Sequence, residues 1–173
     1  MPPDLVIRAA TPADAPALSA LRWRWAQPGR TPGEGEAQEF AAALSRWMAE
    51  QGERSVCQVA ELDGDLVGMA WLAVFDRVPN PGDLARRSGD VQSVFVLPEH
   101  QGRGIGRRLM EQLCATADRL GIRRLTLDSR ESVTPFYERL GFSNQDTLMV
   151  RDRLRSGSSG RAPGRSTPAA PAG

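Results

Sequence analysis

Hydrophobic and polar positions change rhythm along the chain, and each change marks an element. LVIRAA (5–10) reads as a short strand. Thr11-Pro12 then supplies an N-cap and a first-turn proline for a helix over ADAPALSALRWRWA, with Leu18, Leu21 and Trp25 on one face. QPGRTPGEGE (27–36) breaks the pattern. AQEFAAALSRWMAEQG resumes it as a second helix with Phe40, Leu44, Trp47 and Met48 at helical spacing, stopped by Gly52. SVCQVAEL and DLVGMAWLAVF flank Asp63-Gly64, a dipeptide that favours positive φ, and so predict a hairpin.

VPNPGDLARRSGD (78–90) reads as a surface loop, and VQSVFV after it as a strand. A glycine-rich stretch leads to a helix with Ile105, Leu109, Leu113, Ala117 and Leu120 in one stripe and Gly121 as its stop, followed by the strand RRLTLDS. This is a β-α-β unit. Thr134-Pro135 starts a short helix, PFYERL, ended by Gly141, and Phe142 opens a last pair of strand segments finishing near TLMVRDRL.

A chain of 173 residues fits one domain, taken here as residues 1–155. Residues 156–173, SGSSGRAPGRSTPAAPAG, carry no large apolar side chain to offset the entropy of ordering, and a disordered tail is expected. The net charge of +1 gives no global field for nucleic acid or an anionic membrane, and neither is an expected partner. No apolar run approaches the roughly 18 residues of a spanning helix, and MPPDLVIRAA lacks the pattern of a signal peptide, so a cytoplasmic location is expected. Cys57 and Cys114 are far apart and the chain has one histidine, which argues against a metal site. All 22 basic residues are arginine, which removes lysine chemistry altogether.

The stretch VFVLPEHQGRGIGRRLM holds the densest chemical signal. Gly102, Gly104 and Gly106, between a strand and a helix, let backbone N–H groups turn inward at the positive end of the helix dipole, where an anionic phosphate fits. Arg103, Arg107 and Arg108 add charge. A dinucleotide fingerprint asks for GxGxxG, but the third glycine comes one residue early and Arg107 takes its place; Asp128 stands where a ribose-binding acid would, yet too little chain follows for a doubly wound sheet. A P-loop fails for want of lysine.

Gln101, Gly104 and Gly106 meet the QxxGxG pattern of the GCN5-related N-acetyltransferases, in the strand-to-helix setting that family requires. LTLDSRESVTPFYERLGF also resembles the family's strand, short helix and YxxxGF segment, with Tyr137 and Gly141-Phe142 in register. The resemblance implies an α/β fold with a twisted, mixed, mostly antiparallel sheet, helices on both faces, and a splay between the strands at 91–97 and 124–128. It implies acetyl-CoA as cosubstrate and no metal. The pantetheine arm is expected beside Val94, Phe95 and Val96, and the pyrophosphate on the amides of Gly102, Arg103, Gly104, Ile105, Gly106 and Arg107, with Gln101 also in the cofactor site.

For catalysis the resemblance points to Tyr137 as the acid for the leaving thiolate, to the N–H at about Val96 as an oxyanion donor, and to Asp90, at the place of a catalytic glutamate in some relatives. Asp90 also reads as a residue closing the SGD turn. Glu99 and water remain alternative bases. Many relatives carry asparagine seven residues before the tyrosine; here the residue is Arg130, with Ser129 and Ser132 as candidate substitutes. The first two helices are expected to wall the acceptor site, where Glu34, Glu36 and Glu39 either attract an amine or serve as ordinary helix-start charges, and Trp23, Trp25 and Trp47 are expected in the core, with an apolar acceptor pocket as the alternative. The acceptor stays open among small amines, aminoglycoside-like drugs, peptide N-termini and protein lysines, and the oligomeric state between monomer and homodimer. A non-catalytic acyl-CoA-binding regulatory module is the alternative reading.

Overall fold

The computed structural model describes residues 4–145, 148 and 149. β1 (Leu5–Ala9), β2 (Ser55–Leu62), β3 (Asp65–Asp76), β4 (Arg87–Val96) and β5 (Leu125–Leu127) form one sheet in chain order. β1 to β4 pair antiparallel, and β5 joins β4 in parallel. The connections explain the directions. Asp63 and Gly64 have φ of 51° and 94°, as a two-residue hairpin turn needs, whereas β4 and β5 are joined through a helix, as a parallel pair must be.

Two layers of helix cover the sheet. On one face, α1 (Ala15–Ala26) and α2 (Glu34–Gln51) place Leu18, Leu21 and Leu44 against Val59, Met69, Trp71 and Phe95. On the other, α3 (Ile105–Arg119) and α4 (Thr134–Glu138) place Leu109, Leu113, Phe136 and Tyr137 with Ala60, Ala70, Leu72, Val94 and Val96. Neighbours in sequence thus face opposite layers, the period of a strand buried on both sides. Leu109, Met110 and Leu113 are wholly buried, each contributing roughly 1.5–3 kcal/mol. At the start of α1, Arg8 reaches both Asp14 and Glu61 at 2.8 Å, tying that helix to β1 and β2.

Three boundaries differ from the sequence reading. α2 begins at Glu34, because Gly33 is its N-cap and Glu34 and Glu36 favour its positive end. β4 begins at Arg87 rather than Val91, so the SGD segment is strand and Asp90 closes no turn. A Cβ on Gly89 would lie 2.8 Å from the side chains of both Leu72 and Leu125, and glycine is what allows this close approach. Phe142–Gln145 carry no strand; apart from Leu148 and Met149, the rest of that expected pair and the tail lie outside the described residues. Among the described residues, no helix is long and apolar enough to cross a membrane.

Candidate active site

β4 and β5 pair at Gly89↔Leu125, Asp90↔Thr126 and Val91↔Leu127, and there the ladder stops while β4 runs on to Val96. Opposite β3, Trp71 pairs with Ser93 but Leu72 with Val91, leaving Gln92 as an extra residue in β4. Such a bulge bends its strand and increases its twist. The two strands part beyond it around a recess lined by Trp25, Ser93, Val94, Leu127, Ser129 and Tyr137, among others. The expected splay is present.

Register decides which backbone groups face the recess. Leu97 N–H donates to the Val67 carbonyl at 2.9 Å, so by antiparallel alternation Phe95 and Ser93 are bonded to β3, while Val94 and Val96 point their groups to the open edge. Gln101 Nε2 donates to the Val96 carbonyl at 2.9 Å, pinning the glycine loop to the strand. Val94's backbone groups and the Val96 N–H remain on the edge. Phe95 departs from expectation: its backbone serves β3, and its buried ring lies on the α1 and α2 face.

The loop itself is held open by its glycines. Gly102 and Gly104 have φ of 74° and 72°, and an added Cβ on either would meet no atom within 4 Å. No backbone N–H from 102 to 107 donates to another described backbone group; the ladder of α3 begins with Arg108 N–H to the Gly104 carbonyl at 3.1 Å. These donors gather at the positive end of a helix seated by the buried Ile105 and Gly106. Arg107 is paired with Glu111 at 2.7 Å and Arg108 donates to the Leu5 carbonyl at 3.3 Å. Arg103 is exposed and forms no ion pair with a described residue.

Tyr137 is 7% exposed, edge-on to Phe136 and Phe142 with ring centroids at 5.0 and 6.0 Å, and lines the recess. Burial pushes its phenol up to about 12, so it stays protonated at neutral pH. Asp90 lies elsewhere, within β4: one carboxylate oxygen accepts from Thr126 Oγ1 at 2.7 Å and the other from Gln92 Nε2. Asp90 is not among the residues that line the recess with Tyr137. Glu99 is paired with Arg24 at 3.2 Å; hydrogen bonding from its own backbone N–H, with Arg24, holds its carboxyl below the usual range. His100 Nδ1 is buried without a hydrogen-bond partner among the described residues.

A second cleft opens between α1, the loop over 27–33, α2 and the end of β4, where the acceptor walls were expected. Trp23, Arg24, Arg30, Phe95, Gln101 and Arg130 are among its lining, and Arg130 also lines the recess. The tryptophans divide: Trp25 packs against the α1 and α2 core and also walls the recess, Trp23 walls the cleft, and Trp47 is 43% exposed against Trp71. Arg22 was not singled out by its sequence. Its guanidinium bonds Ser93 Oγ at 2.8 Å and stacks 4.6 Å from the Trp25 ring centroid, bracing α1 on β4 beside the bulge, and burial lowers its pKa. Only its place in an Arg-Trp alternation hinted at this stacking.

The model of the acetyltransferase (GNAT) family matches residues 17–142. Glucosamine 6-phosphate N-acetyltransferase of Trypanosoma brucei brucei is 35% identical over 89 residues, 51% of this chain and 58% of that protein. Aminoglycoside N(6')-acetyltransferase type 1 of Stenotrophomonas maltophilia is 33% identical over 124 residues, 72% of this chain and 74% of that protein. A predicted acetyltransferase of Clostridium acetobutylicum, solved with acetyl-CoA, shares the fold at a TM-score of 0.68 and 21% identity, over 86% of this chain and 96% of that one. The chain spans about half the length of the first curated relatives it matches.

Proposed function

The chain belongs to the acetyltransferase (GNAT) family, and from that premise we propose that it transfers an acetyl group from acetyl-CoA to an amine by direct attack in a ternary complex. One observation carries this reading: the unused backbone N–H groups of residues 102–107, at the positive end of α3, adjoin the open edge of β4. A pyrophosphate suits the first and an extended amide-bearing arm suits the second. Gln101, Gly102, Arg103, Gly104, Ile105, Gly106 and Arg107 would hold the diphosphate end. Val94 and Val96 would hold the arm through their backbone.

Acetyl-CoA supplies a thioester, whose carbonyl carbon accepts a nitrogen lone pair. The protein's part is to orient and to manage charge. As the N–C bond forms, the carbonyl oxygen gains charge, and the Val96 N–H is assigned to receive it. The C–S bond then breaks. Tyr137 donates a hydrogen bond to the departing sulfur, and one proton reaches sulfur as one leaves nitrogen. A phenol at about 12 is a weaker acid than an ordinary thiol near 8.5, so Tyr137 works chiefly as a hydrogen-bond donor, yielding its proton only as another replaces it. Asp90, with both oxygens engaged by Thr126 and Gln92, is assigned to strapping β4 to β5. Water takes the role of base.

The test is incubation with acetyl-CoA, an amine panel and cell extract, following free thiol and identifying acetylated products by mass spectrometry. Amine-dependent thiol release is expected. Acetyl-CoA binding with no turnover across the panel and the extract would replace the enzyme with a regulatory binding module.

A further inference from the structure

Among the described residues, the charged ones that line the acceptor cleft are Arg24, Arg30 and Arg130, with no aspartate or glutamate. Arg24 and Arg30 are half-exposed and turned toward carboxylates, Glu99 at 3.2 Å and Glu36 at 2.8 Å. Arg130 differs, since it forms no ion pair with another described residue. Its backbone is fixed, because its carbonyl accepts the Val133 N–H at 3.0 Å at the turn leading into α4.

Arg130 also stands where two spaces meet, lining both the cleft and the recess that holds Tyr137. Arg22 lines neither space, but it braces Ser93 and Trp25, which line the recess. Asp128 lines the recess but not the cleft. Of the three arginines that line the cleft, Arg130 alone is left without a carboxylate partner among the described residues, and an anionic group there gains a planar guanidinium able to grip two oxygens at once.

We propose that the acceptor is an amine that itself carries a carboxylate or phosphate, and that Arg130 is the specificity-determining residue that holds this anion. The inference rests on the acetyltransferase reading and narrows it.

The experiment pairs amines that differ by the acid alone: glucosamine 6-phosphate against glucosamine, and alanine against alaninamide, with a polycationic aminoglycoside as a fifth acceptor. The acid-bearing member of at least one pair should be preferred about tenfold or more in kcat/KM, and which pair responds tells phosphate from carboxylate. Arg130→Gln should raise KM for that acceptor about tenfold or more while leaving the KM of acetyl-CoA and the rate with its neutral partner within twofold. Arg130→Lys should restore only part, since an ammonium lacks the fork. Preference for the neutral amines or the aminoglycoside overturns this inference and leaves the acetyltransferase intact. So does an Arg130→Gln variant that loses rate equally on both members of a pair. Failure of every amine to release thiol removes the enzyme reading and this inference with it.

Discussion

The two halves of the site are built from different materials. The side proposed for the cosubstrate, from β4 through the glycine loop into α3, presents backbone groups: N–H donors of residues 102–107 and the outward edge of Val94 and Val96. The side proposed for the acceptor presents side chains from α1, α2, the end of β4 and Arg130, residues more than 100 positions apart. A backbone site constrains residue type by conformation, so it tolerates few sequences and leaves a local signature. A side-chain site is defined only once the chain has folded.

The largest effect expected from this contrast lies at Gly104, whose φ of 72° and open surroundings put any new side chain into the space over the loop. Gly104→Asp adds backbone strain and sets a carboxylate against the diphosphate. Two like charges at about 4 Å and an effective dielectric near 20 repel by about 4 kcal/mol, so calorimetry should find acetyl-CoA affinity lower by about three orders of magnitude. Unchanged affinity would remove the loop as the phosphate site. It would leave the acceptor side untouched.

This difference in material also sets what was legible in the sequence. The glycine loop and the α3 stripe were readable because positive φ and a period of 3.6 restrict residue choice locally. The beginning of β4 was not, since Arg87, Ser88 and Gly89 look like loop, and only the approach of Leu72 and Leu125 explains why glycine stands inside a strand. Trp23 and Trp25 share a helix with core leucines, yet each walls an opening: Trp23 packs on Phe40 and Arg30 at the cleft, and Trp25 packs on the core while its ring also borders the recess beside the bulge. Arg22 gave little local signal, and Arg130 showed only as a departure from the family's asparagine. The contacts of Arg22 come from distant elements, and the role proposed for Arg130 comes from the two spaces it borders.

Tyr137 sits at the boundary between the two halves. Tyr137→Phe keeps the ring packing against Phe136 and Phe142 and removes one hydroxyl, so acetyl-CoA affinity should hold while single-turnover transfer falls by about 10²-fold. A variant within twofold of wild type would leave water as the proton donor. Because the folded phenol is raised from 10 to about 12, its link to stability is fully present below pH 10 and is lost as pH rises from there through about 12. The rate should show no alkaline loss from this group below about pH 10, and the stability decline should vanish in Tyr137→Phe.

Asp90 separates a strap from a base. Asp90→Asn keeps one acceptor for Thr126 or Gln92 and loses the charge, so kcat should stay within about threefold while denaturant unfolding shows a loss of about 1–2 kcal/mol. A fall of about a hundredfold in kcat with unchanged stability would return Asp90 to the chemistry.

The smallest effect concerns how the acceptor wall is anchored. The Asp14 carboxylate, at the start of α1, is held down to about 2 chiefly by its hydrogen bonds to Arg8, which also grips Glu61. A depressed carboxyl stabilises the fold above its unfolded value of 3.8, and that contribution is lost as pH falls through about 2. Arg8 is 36% exposed, so solvent screening limits the gain to about 1 kcal/mol. Asp14→Asn should therefore lose about 1 kcal/mol at pH 7 and close the gap to wild type near pH 2. Hydrogen exchange should locate the change: as pH falls from 4 toward 2, and after correction for the intrinsic rate, α1 amides should lose protection before those of α3. The start of α3 rests on glycine geometry and buried Ile105, with no titrating group in its cap. Simultaneous loss in both helices would mean that the ion pair holds the whole sheet rather than the acceptor wall, and the two halves would not be separable in stability as they are in construction.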